Sequence, residues 1–146
     1  MYKTKEINVT KILYVACFLT PDSVKTVQML YGETINDMHM TLTFYGKKEC
    51  DFPINLIGTK VTLTVDSWGE YKEEDVVKNI GLHISDDTMK QRLPDGSHLA
   101  EHFAGSVPHI TMKVENGGKP VNTAKCAWHS IIPFRLEAEI GVVERR

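Results

Sequence analysis

The stretch His39-Met40-Thr41-Leu42-Thr43-Phe44-Tyr45-Gly46 alternates between polar and apolar residues. This period of two predicts a β-strand with two different faces. The core-facing row is Met40, Leu42 and Phe44, and the polar row is His39, Thr41, Thr43 and Tyr45. β-branched and aromatic residues favour a strand, and the glycine ends it. The stretch therefore predicts a strand that opens with His-x-Thr on its polar face.

A second stretch has the same arrangement, His109-Ile110-Thr111-Met112-Lys113-Val114. Its apolar residues again fall on one face, and its polar face opens with His109 and Thr111. One His-x-Thr is weak evidence, because a histidine on a strand is commonly a packed residue. Two copies with matched alternation favour a shared functional site.

The two motifs have a chemical logic. A histidine and a threonine two positions apart on a strand lie side by side, about 6.5–7 Å apart. An imidazole accepts or gives a proton near neutral pH, and a threonine hydroxyl donates a hydrogen bond to a phosphate oxygen. One histidine could deprotonate an attacking hydroxyl while the other protonates the leaving oxygen. The pair therefore indicates phosphoester cleavage without a metal ion.

The paired motifs resemble those of the 2H phosphoesterases, a superfamily named for two His-x-Thr/Ser motifs. Within it, the length and local sequence look most like the phage enzymes that degrade cyclic oligonucleotides and so block the bacterial CBASS defence. The resemblance implies an α+β fold with bilobal antiparallel sheets, outer helices and a central cleft. It also implies metal-independent hydrolysis of the 3′–5′ bonds of cyclic di- or trinucleotides to linear products. The catalytic residues would be His39, Thr41, His109 and Thr111, with no cofactor and no metal.

Three further residues are candidates for substrate binding. Tyr14 lies in an apolar strand predicted at 11–19, and the resemblance implies that it holds a base; a core tyrosine is the alternative. Trp68 ends a strand predicted at 60–68 and could stack on a base or cover the core edge. Glu137, with Glu139 second, could accept a hydrogen bond from a ribose hydroxyl or a base, or could be a solvated charge.

Other features suggest structural roles. His83-Ile84-Ser85 is a loose copy of the motif, but two aspartates follow at once and would repel a phosphate. His98 and His102 have zinc-like i, i+4 spacing without a third ligand, so we interpret them as surface or core residues. Trp128 is interpreted as a packing residue.

The remaining pattern predicts alternating helices and strands. A helix should begin at Pro21 with Thr20 as its N-cap and end at Gly32. Further on, we predict a strand at 76–85, a helix over roughly 87–104 broken by a loop at 93–96, a short helix at 121–129 and a last strand at 134–143.

Composition limits the function. The 146 residues fit a single domain over 1–146, and the net charge of −2 argues against broad binding to long nucleic acid. The three cysteines have no zinc-like spacing, and no stretch resembles a signal peptide or a membrane span. We expect a cytoplasmic protein whose partner is a cyclic oligonucleotide rather than a membrane. The oligomeric state, the base preference and the choice of base histidine stay open.

Three alternative functions remain at this point. A 2H enzyme that acts on RNA ends or on 2′,3′-cyclic phosphates would share both motifs. A nucleotide-binding module could keep the fold without turnover. A purely structural domain would turn its polar strand faces to water.

Overall fold

Six antiparallel strands form one continuous sheet in the computed structural model, which describes residues 7–145. The strands are β1 (Ile12–Leu19), β2 (His39–Phe44), β3 (Lys60–Glu73), β4 (Val76–Ile84), β5 (His109–Val114) and β6 (Ala127–Glu144). Their order across the sheet is β2-β1-β6-β3-β4-β5. Two α-helices, α1 (Pro21–Tyr31) and α2 (Asp86–Met89), and four 3-10 turns complete the fold. None of the helices in residues 7–145 is long and apolar enough to cross a membrane.

The sheet curls until its two edge strands meet. Cα atoms of β2 and β5 come within 8 Å of each other. Two backbone hydrogen bonds of 2.9 Å join each edge strand to the segment that precedes the other. Ile35 N donates to the Met112 carbonyl in β5, and Ala104 N donates to the Leu42 carbonyl in β2. The predicted α+β class is confirmed, as a nearly closed, barrel-like antiparallel sheet.

The two halves of the sheet repeat one connection. In one half β1 leads through α1 to β2, and in the other β4 leads through α2 to β5. Each motif strand is an edge strand, and each pairs antiparallel with the strand before it in the chain. The halves join where β6 pairs with β3. Both His-x-Thr motifs consequently reach the seam between the edge strands.

The first two residues of each predicted core-facing row are confirmed as buried. Met40, Leu42, Ile110 and Met112 are buried in a single hydrophobic cluster. Their burial removes apolar area from water and stabilises the sheet.

Phe44 was expected in the same buried row but is 65% exposed. A register shift in the β1–β2 pair turns the end of β2, so that Phe44 lies opposite Tyr14. The shift also removes Thr43 from the predicted polar row, and its hydroxyl donates to the His102 carbonyl at 2.8 Å.

The first helix has the predicted ends. The Thr20 hydroxyl accepts a hydrogen bond from Ser23 N at 3.3 Å, Pro21 occupies the first turn, and Gly32 follows the helix with a φ of +89°. Glycine suits that left-handed position because it has no Cβ.

The prediction of a helix over 87–104 is wrong. After α2 the Gln91 side chain hydrogen-bonds the backbone of Thr62, which ties this segment to β3. A separate 3-10 turn, Leu99–His102, follows. The helix expected at 121–129 is instead a 3-10 turn at Pro120–Lys125, and β6 already begins at Ala127.

Candidate active site

The seam between β2 and β5 brings the two motif histidines together. Both side chains are half-buried on the polar side of their strands. They are close enough that a positive charge on His39 would lower the pKa of His109. The expectation that both motifs serve one site is therefore supported by their placement.

The two imidazoles are held in the same way. His39 Nδ1–H donates to the Asp37 carbonyl at 2.7 Å, and His109 Nδ1–H donates to the Val107 carbonyl at 2.6 Å. A carbonyl only accepts, so each Nδ1 carries the hydrogen and the neutral ring has its lone pair on Nε2. Neither Nε2 forms a hydrogen bond with another residue in 7–145. Each ring can therefore accept or return one proton at Nε2.

The environment of His109 lowers its pKa. Burial lowers its pKa from the usual 6.5, and the charges of His39 and His83 lower it further. The hydrogen bond to the Val107 carbonyl opposes this by favouring the protonated ring. At neutral pH His109 is therefore mainly unprotonated, as a general base must be.

Aromatic rings surround the other histidine. Tyr14 stacks on His39 with a centroid distance of 5.4 Å and an interplanar angle of 26°. Phe18, which pairs with His39 across β1 and β2, lies 5.1 Å from the same ring. Burial and the nearby Asp37 raise the pKa of Tyr14, so its phenol stays protonated. The structure thus brings the predicted Tyr14 beside the motif histidine.

A third histidine flanks His109. His83 pairs directly with His109 across β4 and β5, so both side chains lie on the same face of the sheet. Its Nδ1–H donates to Asp66 Oδ1 at 2.8 Å. The aspartates that follow His83 in sequence do not approach it on this face, because Asp86 and Asp87 begin α2.

The two motif threonines differ in their hydrogen bonds. The Thr41 hydroxyl has no hydrogen-bond partner among residues 7–145. The Thr111 hydroxyl donates to Thr123 Oγ1 at 2.9 Å, and Thr123 also accepts from Asn79 Nδ2 at 3.0 Å. Of the two motif threonines, Thr41 is therefore the one whose hydroxyl hydrogen is available for a ligand.

Trp128 lies beside the third histidine. Its ring contacts His83 edge-on with a centroid distance of 5.4 Å. Gly69 and Gly81 pair across β3 and β4, and a Cβ atom on them would come within 2.7 Å and 3.4 Å of the Trp128 ring. The two glycines therefore make room for the tryptophan, which the sequence analysis had treated as a packing residue.

Trp68 is not brought to this site. It pairs with the buried Leu82 and packs against the hydrophobic core. With Tyr31 and Met112 it lines a small cavity of about 160 Å³ on that side of the sheet. Strict alternation from Thr62 would have continued to Trp68 on the polar face, but the register shift between Val65 and Ser67 reverses the order. The expectation that Trp68 clamps a base does not fit this placement.

The two candidate glutamates have different partners across the sheet. Glu139 pairs with Phe18, which pairs with His39, so it lies in the row of that histidine. Glu137 is exposed, pairs with Thr62 and accepts its hydroxyl hydrogen bond at 3.1 Å. By register, Glu139, the second choice from the sequence, is therefore nearer to His39 than Glu137 is.

The remaining histidines have local partners. His98 contacts Glu101 at 3.2 Å, and His102 packs against Phe52. Within residues 7–145, no group of three or more His, Cys, Asp or Glu side chains is arranged to hold a metal ion.

No family model matches this chain, and no curated protein matches it.

Proposed function

We propose that the protein is a metal-independent phosphodiesterase that opens the 3′–5′ bonds of cyclic di- or trinucleotide signals to linear products. In a bacterial cell this activity would block CBASS anti-phage defence. The proposal rests above all on two imidazoles held in the same tautomer, with both Nε2 atoms free, on two strands that meet. The resemblance of the motifs to the 2H phosphoesterases supports it.

The reaction divides between the two histidines. His109 Nε2 takes the proton of a ribose 2′-hydroxyl, and the oxygen attacks the adjacent phosphorus. As the P–O5′ bond breaks, protonated His39 gives its Nε2 proton to the departing 5′-oxygen. A 2′,3′-cyclic phosphate forms, and water opens it with the two roles exchanged. The lowered pKa of His109 supports its assignment as the first base.

Charge on the phosphate oxygens needs hydrogen-bond donors. The free Thr41 hydroxyl is suited to donate to a non-bridging oxygen, where a preorganised donor stabilises the transition state. Thr111, whose hydrogen is used by Thr123, is better suited to hold the shape of the strand.

Bases and ribose would use the side chains around the histidines. Tyr14 on the His39 side and Trp128 on the His109 side are in position to stack on the bases of a small cyclic substrate. Glu139, or the more distant Glu137, would accept a hydrogen bond from a ribose hydroxyl or a base. A net charge of −2 agrees with a small ligand rather than long nucleic acid.

The test is chromatography with mass detection. Purified protein is incubated with a 3′–5′-linked cyclic dinucleotide that has free 2′-hydroxyls, in the presence of EDTA. We expect a linear product from the wild-type protein and intact substrate with His39→Ala and His109→Ala. A 2′-deoxy cyclic dinucleotide should stay intact with all three. Intact ribonucleotide substrate with wild type, alongside cleavage of RNA 2′,3′-cyclic ends, would overturn the cyclic-dinucleotide assignment.

A further inference from the structure

The site has an unequal supply of hydrogen-bond donors. On the His39 side, the Thr41 hydroxyl is free to donate to a phosphate. On the His109 side, the matching hydroxyl of Thr111 is committed to the fully buried Thr123. A phosphate between the two histidines would lack a donor on one side unless another group supplied it.

His83 is the group in position to supply that donor. Its backbone pairs directly with His109, so its imidazole is on the same face of the sheet and one strand away, about 5 Å. Asp66 accepts the Nδ1 hydrogen at 2.8 Å, which leaves Nε2 as the unsatisfied nitrogen of a partly exposed ring. The edge of Trp128 limits the rotation of the ring.

We propose that His83, oriented by Asp66, is a third substrate-contacting imidazole that donates a hydrogen bond from Nε2 to a non-bridging oxygen of the scissile phosphate. This inference rests on the proposed function for the identity of the phosphate as a phosphodiester. Donation from Nε2 requires the imidazolium form of the ring, in which both nitrogens donate. Asp66 then accepts from Nδ1, while the phosphate accepts from Nε2.

The other half of the sheet provides a natural reference for this position. Phe18 pairs with His39 as His83 pairs with His109. A phenyl ring is therefore compatible with this place beside a motif histidine. His83→Phe removes the donor while keeping an aromatic ring, and His83→Gln keeps a donor amide. Asp66→Asn removes the carboxylate that accepts from Nδ1.

The first arm measures turnover of the cyclic dinucleotide in full-length variants that melt within a few degrees of wild type. A charge-assisted hydrogen bond made in the transition state predicts a 10- to 100-fold loss of kcat in His83→Phe. We expect partial recovery in His83→Gln and an intermediate loss in Asp66→Asn. His129→Phe, the same change on the exposed start of β6, should leave kcat and KM unchanged. Wild-type kcat in His83→Phe would overturn the proposal.

The second arm does not depend on turnover. Inorganic phosphate is titrated into protein labelled with ¹⁵N-histidine at constant ionic strength, with sodium chloride as the matched control. We expect a saturable shift of the His83 Nε2 resonance with phosphate and none with chloride, and a weaker shift in Asp66→Asn. A saturable shift without cleavage of any cyclic dinucleotide would overturn the proposed function but keep the phosphate contact. An unmoved His83 resonance would overturn the contact, even if cleavage is observed.

Discussion

The two halves of the sheet have the same framework and different electrostatics. In each half a strand leads through a helix to an edge strand, and each edge strand opens with a histidine whose Nδ1–H donates to the carbonyl two residues earlier. The first half surrounds His39 with the rings of Tyr14 and Phe18. The second half sets His109 beside the His83–Asp66 pair.

Under the proposed function, this difference would let a repeated framework serve a reaction that is not symmetric. Proton transfer needs one base and one acid, although the two histidines are held alike. Burial and two neighbouring imidazoles lower the pKa of His109 and fit it to be the base. The free hydroxyl of Thr41 and the committed hydroxyl of Thr111 add a second asymmetry.

The largest effects should come from the histidines themselves. His39→Ala or His109→Ala should each lower kcat by at least about 10²–10⁴-fold, because each removes one proton-transfer group. The double variant should be little worse than either single variant, since the two groups act as a unit. Steady-state assays with the cyclic dinucleotide measure kcat for the two single variants and the double variant. Fully multiplicative losses would mean that the two halves act separately.

The aromatic rings distinguish the two faces of the sheet. Tyr14→Ala and Trp128→Ala should each raise KM by about 5- to 150-fold, if each ring stacks on one base at about 1–3 kcal/mol. Trp68→Ala should lower the melting temperature and leave KM unchanged, because Trp68 packs against the core. A rise in KM with Trp68→Ala alone would place substrate on the opposite face from the one we assign.

The threonines should respond in opposite ways. Thr41→Val should lower kcat by about tenfold, the loss of one hydrogen bond to the transition state, with little change in stability. Thr111→Val should cost about 0.5–1.5 kcal/mol of unfolding free energy, because it removes one hydrogen bond to the buried Thr123, with a smaller effect on kcat. Thermal unfolding alongside kinetics separates these outcomes. Equal effects on kcat would remove the asymmetry between the two hydroxyls.

The smallest expected effect is on pH dependence. The folded protein binds the His109 proton less tightly than the unfolded chain, because its pKa in the fold is lowered from 6.5. The unfolded chain therefore takes up this proton first, and stability should fall as the pH drops below 6.5. Denaturant titrations from pH 7.5 to 5 should show a shallower fall in His109→Gln than in wild type. In the pH profile of kcat/KM, the midpoint of the rising limb should likewise lie below pH 6.5, because His109 must lose its proton to act as the base.

Much of the fold could be predicted from local patterns. The alternation at the start of both motif strands and the Thr20–Pro21 start of α1 are local signals, and they are confirmed. The prediction of a helix over 87–104 was wrong. There the Gln91 side chain hydrogen-bonds the backbone of Thr62, a residue far away in sequence, and local patterns do not reveal such a contact.

The candidate site could likewise be predicted only where its signals are local in sequence. Each motif is visible as a short pattern, and Tyr14, a predicted substrate-binding residue, lies next to His39. Trp68 and Phe44 were misplaced because register shifts in the sheet reversed their faces, and periodicity alone does not reveal where a bulge falls. The placement of His83 and Trp128 on the face of His109 could not be predicted, because their partners, Asp66 and the two glycines, are found only once the strands are paired.

The division of labour between the two halves can be tested with a modified substrate. In a cyclic dinucleotide with sulfur in place of the bridging 5′-oxygen, the leaving group is a thiolate and does not need an acid. Our account predicts that His39→Ala cleaves this substrate at nearly the wild-type rate, while His109→Ala stays inactive. Rescue of His109→Ala with His39→Ala inactive, or rescue of neither variant, would contradict the assignment of His109 as base and His39 as acid.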